Sequence, residues 1–218
     1  MVDAPLPLSL FGAGPTEVTV APRFRRTELD PCCWVDYVDG FIQGADALFA
    51  RVEAGLDWFH GERLMYGNWL EEPRLTARME LSDPEVPWVV RTAVRALSAH
   101  YRRTFDGLFC NFYRSGQDSV AWHADRIGRT TVDPLVAIIS LGGPRTFAIR
   151  DQSRASEPHR FLMHSGDLLV MGGATQHHWE HSVPKTAAGP PRISLTTRAG
   201  WARGDPGPSG SVRSAGDP

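Results

Sequence analysis

The hydrophobic and polar positions follow a helical period in the first half of the chain. Apolar residues that recur at helical spacing predict one helix over Ala45–Glu53 and a second over about Pro87–Thr104. Ser82 or Asp83, followed by Pro84, supplies a start signal for the second helix. Both helices are expected to cover a sheet.

From Leu108 onward the pattern changes to period two, with short apolar segments separated by Gly-Gly and Ser-Gly turns. This pattern favours an antiparallel sandwich or barrel, so the predicted fold class is mainly β with flanking helices. The candidate strands are Leu108–Arg114, Pro134–Leu141, Thr146–Arg150, Arg160–His164, Leu168–Met171, His178–His181 and Arg192–Arg198.

The two ends of the chain differ in composition from the middle. Residues 1–25 are rich in proline, glycine and small side chains, which predicts a flexible arm. Residues 201–218 carry almost no apolar side chains, and this composition is typical of a disordered tail.

Net charge and cysteine content exclude few classes of protein. The formal net charge of −2 gives no overall case for a polyanion partner, although Lys185 is the only lysine among 23 basic residues. The bias toward arginine could reflect phosphate recognition, but a GC-rich coding sequence is the preferred explanation. Cys32, Cys33 and Cys110 form an odd set without CxxC spacing, and they are interpreted as reduced thiols, with Cys110 in the core.

No apolar run is long enough for a membrane span, and no basic and apolar leader begins the chain. We therefore expect a cytoplasmic protein that has no membrane partner. Nothing in the sequence indicates an obligate protein partner, and the oligomeric state is left open.

Three residues form a candidate metal site. His123 and Asp125 are two positions apart and share a face of extended backbone, and His181 can add a third ligand from a distant strand. Two imidazoles and a carboxylate suit Fe(II) with three open positions, although zinc accepts the same ligands. The other histidines are expected to be ordinary core or surface residues: His60, His100, His159, His164, His177 and His178.

Two further strand faces carry polar side chains. Asn111 and Tyr113 alternate onto one face, where they line either a polar cavity or a solvated edge strand. Arg192, Ser194 and Arg198 also share a face with Thr196. The two guanidiniums lie on backbone separated by roughly 20 Å, so they either lean together to hold the ends of a short dicarboxylate or face water.

Taken in order, the motifs become recognisable as a set. They are Asn111-Phe-Tyr113, His123-Ala-Asp125, Ser140-Leu-Gly-Gly-Pro-Arg145-Thr-Phe147, Gly166-Asp167-Leu-Leu, His181-Ser-Val-Pro and Arg192-Ile-Ser-Leu-Thr-Thr-Arg198. This order resembles the AlkB family of iron and 2-oxoglutarate-dependent dioxygenases over about residues 105–200, and more faintly back to residue 30.

The resemblance implies a double-stranded β-helix, a jelly-roll barrel of the cupin type, within one dioxygenase domain at 26–200. Residues 26–106 would form a helical and substrate-lid part, and 107–200 the barrel core. The iron ligands would be His123, Asp125 and His181, with 2-oxoglutarate and O2 as co-substrates. The residues implied to contact 2-oxoglutarate are Asn111, Tyr113, Arg192, Ser194 and Arg198.

The family's substrates imply oxidative dealkylation of alkylated bases in DNA or RNA, of the DNA-repair type, with release of succinate, CO2 and an aldehyde. Trp58–Met79 resembles the family's substrate lid, and Tyr66, Trp69 and Arg74 are the predicted substrate contacts within it. Two other functions stay open at this point: a hydroxylase or demethylase of a protein or small molecule, and a non-catalytic nucleic-acid-binding module. The triad and the arginine pair argue against the binding module.

Two positions depart from the family pattern. Relatives that act on nucleic acid often have acidic residues after the aspartate ligand, where this chain has Arg126 and Arg129. Two interpretations stay open: the two arginines contact phosphate, with Arg126 as a predicted substrate contact, or they signal a different substrate. Ser194 stands where relatives commonly have asparagine, and its hydroxyl can still donate one hydrogen bond. The sequence leaves the nucleic acid, its strandedness and the alkyl lesion open.

Overall fold

The computed structural model describes residues 15–65, 68–125, 133–153 and 156–199, and for residues 62–65 and 68–70 it describes the backbone alone. Within these ranges the strands form three antiparallel sheets, and three helices accompany them. The helices are α1 (Ala45–Gly55), α2 (Trp88–Tyr101) and the short α3 (Thr175–His178).

The larger sheet packs against α1 and α2 on one face and against the smaller sheet on the other. Its strands, in spatial order, are β2 (Arg25–Asp30), β3 (Cys33–Val38), β12 (Leu168–Gly173), β9 (Leu135–Gly142), β14 (Arg192–Ala199), β7 (Phe105–Tyr113), β6 (Asn68–Met79) and β5 (Phe59–Met65). The smaller sheet has the order β11 (His159–Met163), β10 (Arg145–Asp151), β13 (Trp179–Val183) and β8 (Val120–His123). A third pair joins β1 (Glu17–Val18) to β4 (Ile42–Gln43).

Two hydrophobic cores lie on opposite faces of the larger sheet. Strand β9 shows the division: Ala137, Ile139 and Leu141 point into the core beneath α1 and α2, whereas Val136 and Ile138 point toward the smaller sheet. Because both faces of β9 are covered, its sequence is almost continuously apolar instead of alternating. The two facing sheets form the sandwich of a jelly roll, which confirms the predicted fold class.

Every candidate strand from Leu108 onward is present, with ends displaced by at most three residues. The strand predicted at His178–His181 begins instead at Trp179, because His178 is the last residue of α3. The alternation predicted for β7 is also correct: Cys110 and Phe112 lie in the core beneath the helices, and Asn111 and Tyr113 face the other way, into a cavity.

The second helix is shorter than predicted, and its start signal was wrong. It begins at Trp88 after Pro87, without a side-chain cap, while the Asp83 carboxylate instead accepts a hydrogen bond from the Glu85 backbone within a separate turn. The helix ends at Tyr101 and not at Thr104, since Arg102 adopts a left-handed conformation with φ 53°.

The strands before residue 80 were not predicted, so the helical description of 26–106 was incomplete. In β3 a buried charge interrupts the apolar pattern: Asp36 accepts hydrogen bonds from Arg26 and from the Tyr101 hydroxyl. Strands β5 and β6 form a hairpin at the edge of the larger sheet and carry many charged residues. Residues 17–25, predicted as part of a loose arm, contribute β1 and the first residue of β2. The predicted tail, 201–218, lies outside the described residues.

Among the described residues, no helix has the length and apolar content needed to cross a membrane.

Candidate active site

The three predicted metal ligands converge between the two sheets. His123 ends β8 and pairs in register with His181 of β13, and Asp125 follows His123 by two residues. The Oδ1 atom of Asp125 lies 3.7 Å from His123 Nε2 and 3.9 Å from His181 Nε2, and the imidazole centroids are 4.3 Å apart. Two nitrogens and one oxygen therefore face a common point.

Neighbouring groups fix the orientation of each ligand. The Nδ1 atom of His123 lies 2.9 Å from the carbonyl oxygen of Ala121, which leaves Nε2 for the metal. Asp125 Oδ2 accepts hydrogen bonds from Arg198 Nε at 3.0 Å and Nη2 at 2.8 Å, so Oδ1 is the oxygen left facing the histidines. The backbone N–H of Asp125 donates to Gln176 Oε1 of α3 at 3.0 Å. Partners of this kind position metal ligands and tune their basicity.

The electrostatics favour the protonation states that bind a metal ion. Burial lowers the pKa of His181 to about 3, and the nearby His123 acts in the same direction, so the His181 imidazole is neutral at pH 7. Burial acts to raise the pKa of Asp125, but the positive charge of Arg198 and the two histidines outweigh it and lower that pKa. A neutral imidazole and an ionised carboxylate need lose no proton before they bind a cation.

A cavity extends from the three ligands along one face of β7 and β14. The register pairs Arg192 with Tyr113 and Ser194 with Asn111, which brings the two predicted polar faces side by side. The wall is completed by apolar side chains. The cavity is lined by Arg74, Phe109, Asn111, Tyr113, Val120, His123, Asp125, Val136, Ile138, Phe147, His181, Ser182, Val183, Arg192, Ser194, Thr196 and Arg198.

The surroundings of Arg192 indicate whether this cavity suits an anionic ligand. Its side chain is 1% exposed; Nε donates to Ser140 Oγ at 2.9 Å, and its guanidinium carbon lies 5.2 Å from the ring centroid of Tyr113. The Nη1 atom has no hydrogen-bond partner among the described residues, and burial lowers the pKa of this guanidinium. A buried cation with an unused N–H is costly unless an anion binds it, and a carboxylate of 2-oxoglutarate fits this requirement.

The two arginines of β14 have different surroundings, a difference that their shared strand face does not predict. Arg192 lines the cavity and has the unused N–H, whereas Arg198 donates two hydrogen bonds to the ligand Asp125. A contact of Arg198 with 2-oxoglutarate therefore stays a prediction, and its observed role is to orient the carboxylate.

Asn111 lies within a short polar chain. Its amide nitrogen donates to Ser194 Oγ at 3.3 Å, and its Oδ1 accepts from Arg74 Nε at 2.7 Å. Arg74 is 8% exposed and its Nη2 pairs with Glu72 Oε2 at 2.9 Å. Arg74, predicted to contact substrate, thus lies beside the residues predicted to contact 2-oxoglutarate.

The other predicted substrate contacts are described less fully. Trp69 belongs to β6, whose backbone pairs with β5, but its side chain is outside the described set. Tyr66 and Arg126 lie outside the described residues altogether, as does Arg129. Their roles stay predictions.

Several residues that support the site were not among the predicted contacts. Gln176 reaches Asp125 from a helix of four residues, for which the sequence offers no signal. Phe147, part of a quoted motif, stacks on His181 with ring centroids 5.4 Å apart. Arg145 is 2% exposed and donates to the carbonyl oxygens of Ser115, Asp118 and Pro184, which ties together the loops that lead into β8 and out of β13.

Comparison with known proteins agrees with this geometry. The family model for the 2OG-Fe(II) oxygenase superfamily matches residues 69–198. The chain belongs to this superfamily, and it is an Fe(II)- and 2-oxoglutarate-dependent dioxygenase that uses O2 as its other co-substrate.

Within the superfamily the chain is AlkB-like, as the motif order predicted. It is 30% identical to the alpha-ketoglutarate-dependent dioxygenase alkB homolog 3 of Homo sapiens, covering 89% of this chain and 73% of that protein. It is also 30% identical to the DNA oxidative demethylase ALKBH2 of Bos taurus, over 71% of this chain and 64% of the relative.

Solved structures support the fold alone. OsALKBH1 superposes with a TM-score of 0.56 at 17% identity, covering 80% of this chain and 100% of that one. A Pseudomonas putida prolyl-4-hydroxylase superposes with a TM-score of 0.55 at 16% identity, over 77% and 92% of the two chains.

Proposed function

We propose that this protein removes alkyl groups from nucleic-acid bases by oxidation at a nitrogen-bound carbon. The observation that carries the proposal is one cavity in which the His123, Asp125 and His181 donors adjoin Arg192 with an unused N–H. The similarity to a relative named DNA oxidative demethylase supplies the substrate class.

The bound iron and 2-oxoglutarate would supply an oxidant that hydroxylates a C–H bond, with conversion of 2-oxoglutarate and O2 to succinate and CO2. Hydroxylation of a methyl carbon on nitrogen gives a product that releases formaldehyde. The chain itself positions these groups: His123 Nε2, His181 Nε2 and Asp125 Oδ1 would hold the metal, and Arg198 would keep the carboxylate oriented.

The co-substrate would lie along β7 and β14. Arg192 would bind its distal carboxylate through the unused Nη1, in a position already bounded by Tyr113 and Ser140. The apolar side chains of Val136 and Ile138 cover one wall of the cavity, which limits the access of water to the reacting centre.

The substrate would approach over the hairpin formed by β5 and β6. This hairpin is the edge of the larger sheet and lies next to β7, which carries Asn111 and Tyr113 into the cavity. Tyr66 and Trp69 are the aromatic candidates to hold a base outside the stack, and Arg126 is the candidate phosphate contact. The arginines near the amino terminus are less suitable, because Arg25 pairs with Asp39 and Arg26 with Asp36.

The direct test incubates anaerobically purified protein with Fe(II), 2-oxoglutarate, ascorbate and air-saturated buffer, and adds oligonucleotides carrying bases methylated on a ring nitrogen. Single-stranded DNA, double-stranded DNA and RNA form separate arms, each with an unmethylated control. Succinate, formaldehyde and the demethylated base are measured together. Equal amounts of all three, only with methylated oligonucleotides, are expected.

The Asp125→Ala variant is the matched control and should give none of the products. Succinate without demethylated base in every arm would reject the nucleic-acid substrate while leaving the dioxygenase class intact. In that case peptides and small N-methyl compounds become the next substrates to test.

A further inference from the structure

A second group of potential metal ligands lies outside the active site. The turn between β2 and β3 presents Asp30, Cys32 and Cys33, and the last residue of α3 adds His178 from 145 positions further along the chain. We call these four residues the thiol cluster. Cys33 is fully buried, whereas Cys32 and His178 are exposed, so solvent reaches one side of the cluster.

The donor atoms of the thiol cluster are close together. The two sulfur atoms are 3.7 Å apart, and His178 Nδ1 lies 3.8 Å from Cys32 Sγ and 4.0 Å from Cys33 Sγ. The Oδ1 atom of Asp30 is 3.2 Å from Cys32 Sγ. One oxygen, one nitrogen and two sulfurs thus all lie within 4.8 Å of one another.

The four separations given above, 3.2 to 4.0 Å, are close to the edges of a tetrahedron around zinc. Zinc lies about 2.3 Å from thiolate sulfur and about 2.0–2.2 Å from histidine nitrogen or carboxylate oxygen, so tetrahedral geometry separates the donors by roughly 3.3–3.8 Å. The sulfur–sulfur distance is far longer than the roughly 2.05 Å of a disulfide. The arrangement therefore suits a shared cation better than a covalent bond between the cysteines.

Further contacts orient the carboxylate as they do at established metal sites. The Oδ1 atom of Asp30 accepts the backbone N–H of Cys32 at 2.8 Å, and Oδ2 accepts the indole N–H of Trp179 at 2.7 Å. Such outer hydrogen bonds hold a ligand in one rotamer before the metal arrives.

We propose that Asp30, Cys32, Cys33 and His178 bind a zinc ion in this protein, separately from the active-site iron. The two sites differ in donor type, since the thiol cluster offers sulfur and the active site offers only nitrogen and oxygen. Thiolates favour zinc, whereas two histidines and a carboxylate with open positions suit Fe(II), so the two sites differ in the metal that their donors suit.

A zinc ion here would fix α3 against the β2–β3 turn. The backbone N–H of Ala174, the residue before α3, donates to the Cys32 carbonyl at 2.9 Å, and Gly173 pairs with Cys33. The same helix carries Gln176 to Asp125. The proposed zinc would therefore stabilise the helix that supports an iron ligand.

The test is a Co²⁺ titration of the reduced full-length chain in which His123→Ala and Asp125→Ala remove the active-site donors. Thiolate-to-cobalt charge transfer in the near ultraviolet, tetrahedral d–d bands in the visible and about one Co²⁺ per chain are expected. Zinc should displace the cobalt and raise the melting temperature.

Two single changes of exposed ligands, Cys32→Ser and His178→Ala, are then added to this background. Each should remove the charge-transfer band or weaken zinc binding at least about tenfold in competition with a chromogenic chelator. His177→Ala, a change at the neighbouring residue of α3, is the matched control and should bind zinc normally. Circular dichroism verifies that every variant is folded.

The absence of a thiolate-to-cobalt band in the background protein would overturn the proposal. It would also be overturned if both ligand variants bound zinc as tightly as the His177→Ala control.

Discussion

His178 and His181 are three residues apart, yet they belong to two donor clusters with different chemistry. His181, buried in β13, faces His123 and Asp125, while His178, exposed at the end of α3, faces two thiols. The active-site ligands adjoin a cavity with a buried arginine, whereas the thiol cluster brings four donors together beside a turn. A cavity leaves room for reacting molecules, and a closed donor set suits a structural ion.

The comparison teaches that the kind of ligand and the space around it separate the two roles. In the active site three donors occupy one side of the metal position, and Arg192 and Asn111 lie in the adjoining cavity. The thiol cluster offers four donors, the number that the proposed tetrahedral zinc site needs. Predicted effects on turnover should therefore be large in the first region and small outside it.

The largest effect is expected for Asp125→Ala, which removes the oxygen that faces both histidines and the acceptor of two hydrogen bonds from Arg198. Succinate formation should fall to background, because a missing ligand releases the iron. Cobalt bound at the thiol cluster should keep its charge-transfer band in this variant. Loss of both signals together would show that the two clusters are not independent.

The next effect is expected for Arg192, which lines the same cavity as the metal ligands. Replacing Arg192 with methionine keeps the side chain long but removes the buried guanidinium and its unused N–H. The KM for 2-oxoglutarate should rise about ten- to hundredfold, which equals the roughly 1.4–2.8 kcal/mol of a charge-assisted hydrogen bond. Initial rates over a wide 2-oxoglutarate range measure it. An unchanged KM for 2-oxoglutarate would show that Arg192 does not bind the co-substrate.

A smaller effect is expected at Gln176, the residue that connects α3 to the iron ligand. Gln176→Leu leaves the backbone N–H of Asp125 without its acceptor, at a cost of about 1–3 kcal/mol in the free energy of unfolding. Chemical denaturation measures this cost, and iron affinity should fall with it. Gln176→Glu keeps an acceptor oxygen and should bind iron better than Gln176→Leu; the reverse order would argue against this contact.

The smallest effect concerns Asp118, which belongs to neither cluster but shapes the loop before β8. Burial acts to raise the pKa of Asp118, but hydrogen bonds from Arg114 outweigh it, so the folded-state pKa is lowered. The ionised carboxylate therefore stabilises the fold above its ordinary pKa, and this contribution is lost as pH falls through the folded-state pKa.

Asp118→Asn should accordingly lower the stability of the protein at neutral pH. In acid, the difference in stability between the variant and the wild type should disappear. Unfolding midpoints from neutral to acid pH, compared with wild type, measure it. A difference that stays constant with pH would show that the Asp118 charge contributes nothing. Cobalt binding at the thiol cluster should be unchanged throughout.

The regions that could be predicted from sequence are those in which one face of a strand is polar or apolar throughout. Strands β7 and β14 were predicted within a few residues, and with them the shared faces of Asn111 with Tyr113 and of Arg192 with Arg198. The strands before residue 80 were missed, because charges such as Asp36 interrupt their pattern and find partners only in the folded chain.

The sequence by itself determined the fold class, most of the strands from Leu108 onward and the candidate iron ligands, since period-two alternation and the His-x-Asp spacing are local. Only the tertiary structure decided that Arg198 orients Asp125 while Arg192 keeps an unused N–H. The tertiary structure alone also placed His178 beside Cys32 and Cys33. Contacts between residues this far apart depend on sheet register and helix placement, which no local spacing encodes.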